Sequence, residues 1–148
     1  MVSKMQIDFS KLDFKFSVKP LLVGGRAMEY YGLRKSGKDI DLIVVGEDYL
    51  RLSQRYPESV RNLGGDLGVC VHDFEVWKWI CMFDYGFLSR NAIEEDNIKV
   101  IHLEKLLFMK SLGISKEKYE NDVKLIVQKI FDIQYGKDKD YKPDFLVQ

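Results

Sequence analysis

The sequence predicts an α+β fold, a small mixed β-sheet flanked by helices with a C-terminal helical pair. Three observations predict it. Short apolar runs, "PLLVGG" (20–25), "DIDLIVV" (39–45) and "GVCVHDFEVW" (68–77), crowd the first half of the chain at strand rather than helix length. Helical stretches fall between them. Late in the chain, apolar residues recur with the 3.6-residue period of an amphipathic helix.

Taken in order, "PLLVGG" reads as a buried strand ending in glycines, and "RAMEYYGL" adds about two helical turns that stop at Gly32. "DIDLIVV" is a strand, and a second helix runs from near Asp48 through "YLRLSQRY" until Pro57 stops it. A loop with Gly64 and Gly65 then leads into "GVCVHDFEVW", read as one strand. The aromatic stretch "KWICMFDYGFLSR" is open between a short helix and a pocket wall. "NIKVI" is a short strand, and "HLEKLLFMKSL" a helix with Leu103, Leu106 and Leu107 on one face. Ser115 is placed to cap the longest helix, where Tyr119, Val123, Ile126, Val127 and Ile130 keep the period. This gives one domain over residues 1–135, with its core at about 20–101 and its helical pair at about 102–135. A polar tail carrying Pro143 follows at 136–148.

At 148 residues the chain suffices for one core, since a domain of that size buries roughly 68 to 70% of its unfolded surface. Lys plus Arg (23) offsets Asp plus Glu (23), so no whole-molecule field draws it to nucleic acid or membrane, and an anionic ligand needs a local cluster of cations. No apolar run has signal-peptide or membrane-spanning length, which leads to the expectation of a cytoplasmic protein. Cys70 and Cys81, without a Cys-x-x-Cys spacing, are expected to be buried free thiols.

Residues 32–38, "GLRKSGK", spell a phosphate-binding glycine loop up to its last letter, where Asp39 replaces Ser or Thr. That chemistry needs a helix after the loop, so that amides at its N-terminus face the phosphates and the hydroxyl holds magnesium. Here a strand follows. The segment is better read as a turn with three cations, Arg34, Lys35 and Lys38, beside Asp39.

Along that strand Asp39 and Asp41 project to one face while Ile40, Leu42 and Val44 project to the other. Two carboxylates side by side repel unless cations neutralise them, and magnesium, a hard ion taking oxygen ligands, does so. An isolated Asp-x-Asp is more often a solvent-facing strand end bridged to neighbouring lysines. Upstream, however, Gly24 and Gly25 stand between a strand and a helix, where free amides form an anion site. A dehalogenase-like phosphatase is excluded by order, because its nucleophilic Asp follows its strand and Asp39 precedes one.

The combination of Val23-Gly24-Gly25, a thirteen-residue spacer and Asp39-Ile40-Asp41-Leu42 resembles the nucleotidyltransferase superfamily typified by DNA polymerase beta. The C-terminal stretch is similar to small members that include abortive-infection toxin components of toxin-antitoxin pairs, in which a helical Lys precedes a helical Asp. Lys110 and Asp122 match those two. The resemblance implies a nucleotidyltransferase-like core and a third carboxylate on a neighbouring strand. Glu75, between Phe74 and Val76, fits that pattern better than Asp73.

The resemblance further implies that Asp39, Asp41 and Glu75 or Asp73 converge on Mg2+, with Mn2+ as a substitute. The substrate is then a nucleoside triphosphate. Gly24 and Gly25 cradle its phosphates, and Arg26, Arg34, Lys35, Lys38 and Lys110 offset its charge. A nucleoside monophosphate passes to a hydroxyl on an RNA end, a protein or a small molecule, with release of pyrophosphate. The alternative is a catalytically inactive member of the same fold that serves as a regulatory or toxin-antitoxin-like module for a protein partner. Trp77, Trp79, Phe83 and Tyr85 are expected in the core more often than against a base.

Overall fold

The computed structural model describes residues 4–113 and 115–136, and the predicted tail from residue 137 lies outside them. The chain divides into two compact units, one ending at Leu106 and the other starting at Leu107.

The first unit is built on a mixed sheet. Its first strand, β1 (Leu21–Val23), turns directly into α1 (Gly24–Tyr30). β2 (Ile40–Ile43) pairs antiparallel with β1 and leads into α2 (Gly46–Arg55). Then come β3 (Val60–Leu63), β4 (Asp66–Val71) and β5 (Phe74–Trp77). A small hairpin of β6 (Trp79–Ile80) and β7 (Phe83–Asp84) is followed by α3 (Tyr85–Leu88), β8 (Ile93–Glu94) and β9 (Lys99–Val100). Among the described residues the main sheet has seven strands in the order β3-β4-β5-β2-β1-β9-β8, with β2–β5 and β1–β9 parallel. The mixed α+β character expected from the sequence is therefore present.

Leu21, Leu22, Val23, Leu42, Ile43 and Val44 are all essentially inaccessible, which explains why their short runs are strands. Buried on both faces, they need not alternate with polar residues, and each contributes about 1.5–3 kcal/mol. α2 begins with Glu47 and Asp48 and ends with Arg55, charges that suit its dipole, and Pro57 follows it.

The segment 4–20 forms neither helix nor strand, yet side chains of later elements fix it. Asp48, fully buried, accepts from the Ser17 amide (3.0 Å), the Ser17 hydroxyl (2.7 Å) and the Val18 amide (3.2 Å), and pairs with Arg51 (2.5 Å). Asn97 accepts from the Ile7 amide and donates to the Ile7 carbonyl. Phe9 lies against Phe74 with ring centroids 5.6 Å apart, so this segment covers the Phe74 face of the sheet.

Several expectations for the first unit are corrected. "GVCVHDFEVW" is two antiparallel strands, since the chain reverses at His72 and Asp73, with His72 at φ 53° and Val71 paired to Phe74. The glycine loop before it is the Gly64–Gly65 turn of a further hairpin, both glycines at positive φ, and joins β3 to β4. Cys70 and Cys81 are free thiols as expected, but Cys70 is half-buried and Cys81 exposed, because Cys81 occupies the β6–β7 turn at φ 58°. Of the aromatic residues, Trp77 is buried and Trp79 is 45% exposed, with Phe83 and Tyr85 between them.

α4 (Leu103–Leu112) carries the chain from the first unit into the second, which continues as α5 (Glu117–Tyr135). These are the predicted C-terminal helices. Lys116, not Ser115, is the N-cap residue of α5, and no side chain caps that end. Within the second unit Lys110 and Asp122 form a buried ion pair (2.9 Å), with Lys110 Nζ 4.9 Å from the Tyr119 ring centroid. No helix among the described residues is long and apolar enough to cross a membrane.

Candidate functional site

Strand register assembles the site. Val23, Asp41, Glu75 and Cys70 are successive Cα partners across β1, β2, β5 and β4. Paired residues share a face, so the last three line up on the side opposite Phe74. Asp41, Glu75 and Cys70 are each half-buried. Neighbouring strands lie about 4.8 Å apart, so two carboxylates and a thiol stand abreast.

Gly24 is what brings Asp41 against the β1–α1 junction. Its φ is +66°, and a Cβ built there would fall on Asp41 Oδ2 and within 3.0 Å of Asp41 Cγ. A side chain at position 24 is therefore excluded both by conformation and by the carboxylate it would displace. Asp41 Oδ1 is shut off from solvent. Gly25, the next residue, faces the basic turn: its Cβ position is 3.5 Å from Ser36 Cβ and 3.6 Å from an Arg34 guanidinium nitrogen. Ser36, which sequence inspection missed, thus packs on the start of α1, and its hydroxyl donates to the Gly37 carbonyl.

The cations differ in state. Arg34 donates to the Lys35 carbonyl (3.0 Å), while Lys35 and Lys38 are exposed. Arg26 is half-buried with one terminal nitrogen 3.5 Å from the Lys38 carbonyl, and its Nε is buried without a hydrogen-bond acceptor among the described residues. Such a donor is costly unless an anion reaches it.

Asp39 lies just before β2 and is exposed. Its charge still bears on the cluster. Burial first, then Glu75, Asp39 and Asp41 push the Cys70 thiol above its ordinary range, against a downward pull from Arg61. Asp73 sits exposed in the His72–Asp73 turn, where its carbonyl accepts from the Ile40 amide (2.7 Å). Lys110 belongs to the second unit and is held there by Asp122.

The expected convergence of three carboxylates on one ion is not found, since among the described residues no three His, Cys, Asp or Glu side chains form a metal-holding group. Asp39 precedes the paired strand and Asp73 occupies a turn, so register aligns only Asp41 and Glu75. Magnesium does not require a protein cage, because it keeps several waters and binds through one or two carboxylates plus substrate phosphates. Asp41 and Glu75, side by side in the register, number the two carboxylates that such binding can use. Two cavities of about 400 and 370 Å3 lie elsewhere, neither lined by these carboxylates. Comparison with protein-family models, with characterised proteins and with solved structures finds no match to this chain.

Proposed function

We propose that the chain is a metal-dependent nucleotidyltransferase that moves a nucleoside monophosphate from a nucleoside triphosphate to an acceptor hydroxyl. The observation that carries this is the pairing of Asp41 with Glu75 beside Gly24, where a side chain is excluded. Gly24 and Gly25 open α1 beside the Asp41 carboxylate and the basic turn, and Arg26, with its buried Nε, and Arg34, Lys35 and Lys38 supply positive charge. Phosphoryl-type transfer is mostly positioning and charge stabilisation, so such a set suffices in kind.

Asp41 with Asp39 is assigned to the triphosphate and Glu75 to the acceptor side. The acceptor oxygen bonds to the α-phosphorus as the bond to the β-phosphate oxygen breaks; pyrophosphate leaves and the hydroxyl proton passes to Glu75 or water. Bound Mg2+ or Mn2+ would neutralise the developing phosphate charge. The acceptor is an RNA end, a protein or a small molecule.

The absence of a three-carboxylate group among the described residues favours a second reading, a binding module of related architecture that no longer turns over and acts through a protein partner. Labelled NTP incubated with cell extract and magnesium separates the two. Incorporation that disappears in the Asp39→Asn, Asp41→Asn double variant supports the enzyme. No incorporation from any of the four NTPs, with RNA pools added, supports the binding module.

A further inference from the structure

The larger cavity, of about 400 Å3, is lined at the end of β2 by Val44 and Val45, and elsewhere by Lys78, Trp79, Asp84 and Tyr85. Val44 is three residues beyond Asp41, or roughly 10 Å along a strand, so this is not the carboxylate site. The volume falls within the roughly 300–1,000 Å3 of small-molecule sites.

Its side chains define a chemistry. Val44 and Val45 are apolar. Trp79 is 45% exposed, and Tyr85 is fixed by the hydrogen bond its hydroxyl donates to the Lys19 carbonyl (2.8 Å). Lys78 has no carboxylate partner among the described residues; its Nζ rests 4.2 Å from the Trp79 ring centroid and 5.9 Å from that of Tyr49. Asp84 accepts from the Phe87 amide (3.1 Å) through Oδ1, and a carboxylate has further acceptor positions. One donor and one acceptor therefore accompany two aromatic side chains.

We propose that this cavity binds a nucleobase, stacked on its aromatic wall, with Lys78 donating to a ring acceptor and Asp84 accepting from an amino or ring N–H group. A simple anion is opposed by Asp84. A hydrocarbon would bury Lys78 and Asp84 without satisfying either. A base has a π-face for the rings and both hydrogen-bonding types at its edge. It can come from a free nucleotide or from a strand, and the cavity shares no residue with the carboxylate row.

The test follows the Trp79 indole resonance by NMR, with buried Trp77 as internal reference, against cytidine, uridine, adenosine, guanosine and ribose 5-phosphate. At least one nucleoside is expected to shift Trp79 saturably, and ribose 5-phosphate not at all. Trp79→Ala, followed on the nucleoside's own proton resonances because the reporter is lost, should weaken binding about tenfold or more, the scale of base–aromatic stacking. Lys78→Gln and Asp84→Asn should each cost about three- to tenfold and change the order of base preference, since Asn still caps α3. Asp41→Asn should leave binding unchanged. A tetranucleotide of the best base binding about tenfold tighter than its nucleoside would support a base presented by a strand, and equal affinity a base from a free nucleotide. The proposal is overturned if ribose 5-phosphate shifts Trp79 as well as any nucleoside, or if no nucleoside does so at about 10 mM.

Discussion

Asp41 and Glu75 are direct register partners on adjacent parallel strands, so the sheet itself holds two like charges side by side. Like charges directly opposite each other destabilise a sheet, by roughly 0.2–1 kcal/mol. Asp41→Asn and Glu75→Gln keep the shape and remove a charge. Glu75→Gln is expected to leave the thermal midpoint unchanged or raise it by about 1–5 °C, and each variant to reduce nucleotide transfer about 100-fold or more. Thermal melts alongside a transfer assay check both halves. A variant that loses stability and activity together would show that the pair is structural.

The two adjacent glycines should respond differently to alanine. Gly24→Ala places a Cβ on Asp41 at a positive φ, and the conformation alone costs about 1–2 kcal/mol. Gly25 has no positive φ, and its Cβ position meets neighbours only at 3.5–3.8 Å. Gly25→Ala should fold almost as the parent does, which denaturant titration of the two variants measures.

Asp48 supplies a pH signature. Burial, the largest single influence, pushes its carboxyl up, but hydrogen bonds from Ser17, Val18 and Arg51 together outweigh it and hold the group below its ordinary range. A depressed carboxylate stabilises the fold above the unfolded value, near 3.9, and loses that contribution as pH falls through the lower folded value. Asp48→Asn should therefore cost about 1–3 kcal/mol at neutral pH, with the difference from the parent shrinking below about pH 4. Urea midpoints from pH 7 to 3 test it.

Lys110 and Asp122 are 8% and 2% exposed, so removing one partner leaves a buried charge. Lys110→Met or Asp122→Leu alone should destabilise by about 3–5 kcal/mol, and the double variant should recover much of that loss. A stable double variant without transfer activity would assign Lys110 or Asp122 a role in the reaction, whereas an active one would confine the pair to stability.

Much of the frame was legible because it is local. Leu21–Val23 and Leu42–Val44 are continuous apolar runs, and Gly24 and Gly25 mark the turn into α1. The chain reversal at His72 was hidden because a non-glycine residue takes the left-handed conformation there. β3 was hidden because "VRNL" forms an edge strand that is largely exposed and lacks an apolar pattern; Gly64–Gly65, between it and β4, was the available signal. In the site, alternation along one strand placed Asp41, but which residue stands beside it depends on the β2–β5 register, which no local pattern contains. The place of Cys70 beside Glu75 and that of Ser36 on the start of α1 were hidden for that reason, since they come from pairing and from the fold of the basic turn.

A crystal structure with Mn2+ and a non-hydrolysable nucleoside triphosphate is the most direct test of the site. Anomalous manganese density between Asp41 and Glu75, with the triphosphate against Gly24 and Gly25 and an oxygen reaching Arg26 Nε, is expected. Manganese and nucleotide bound away from Asp41 and Glu75 would contradict it.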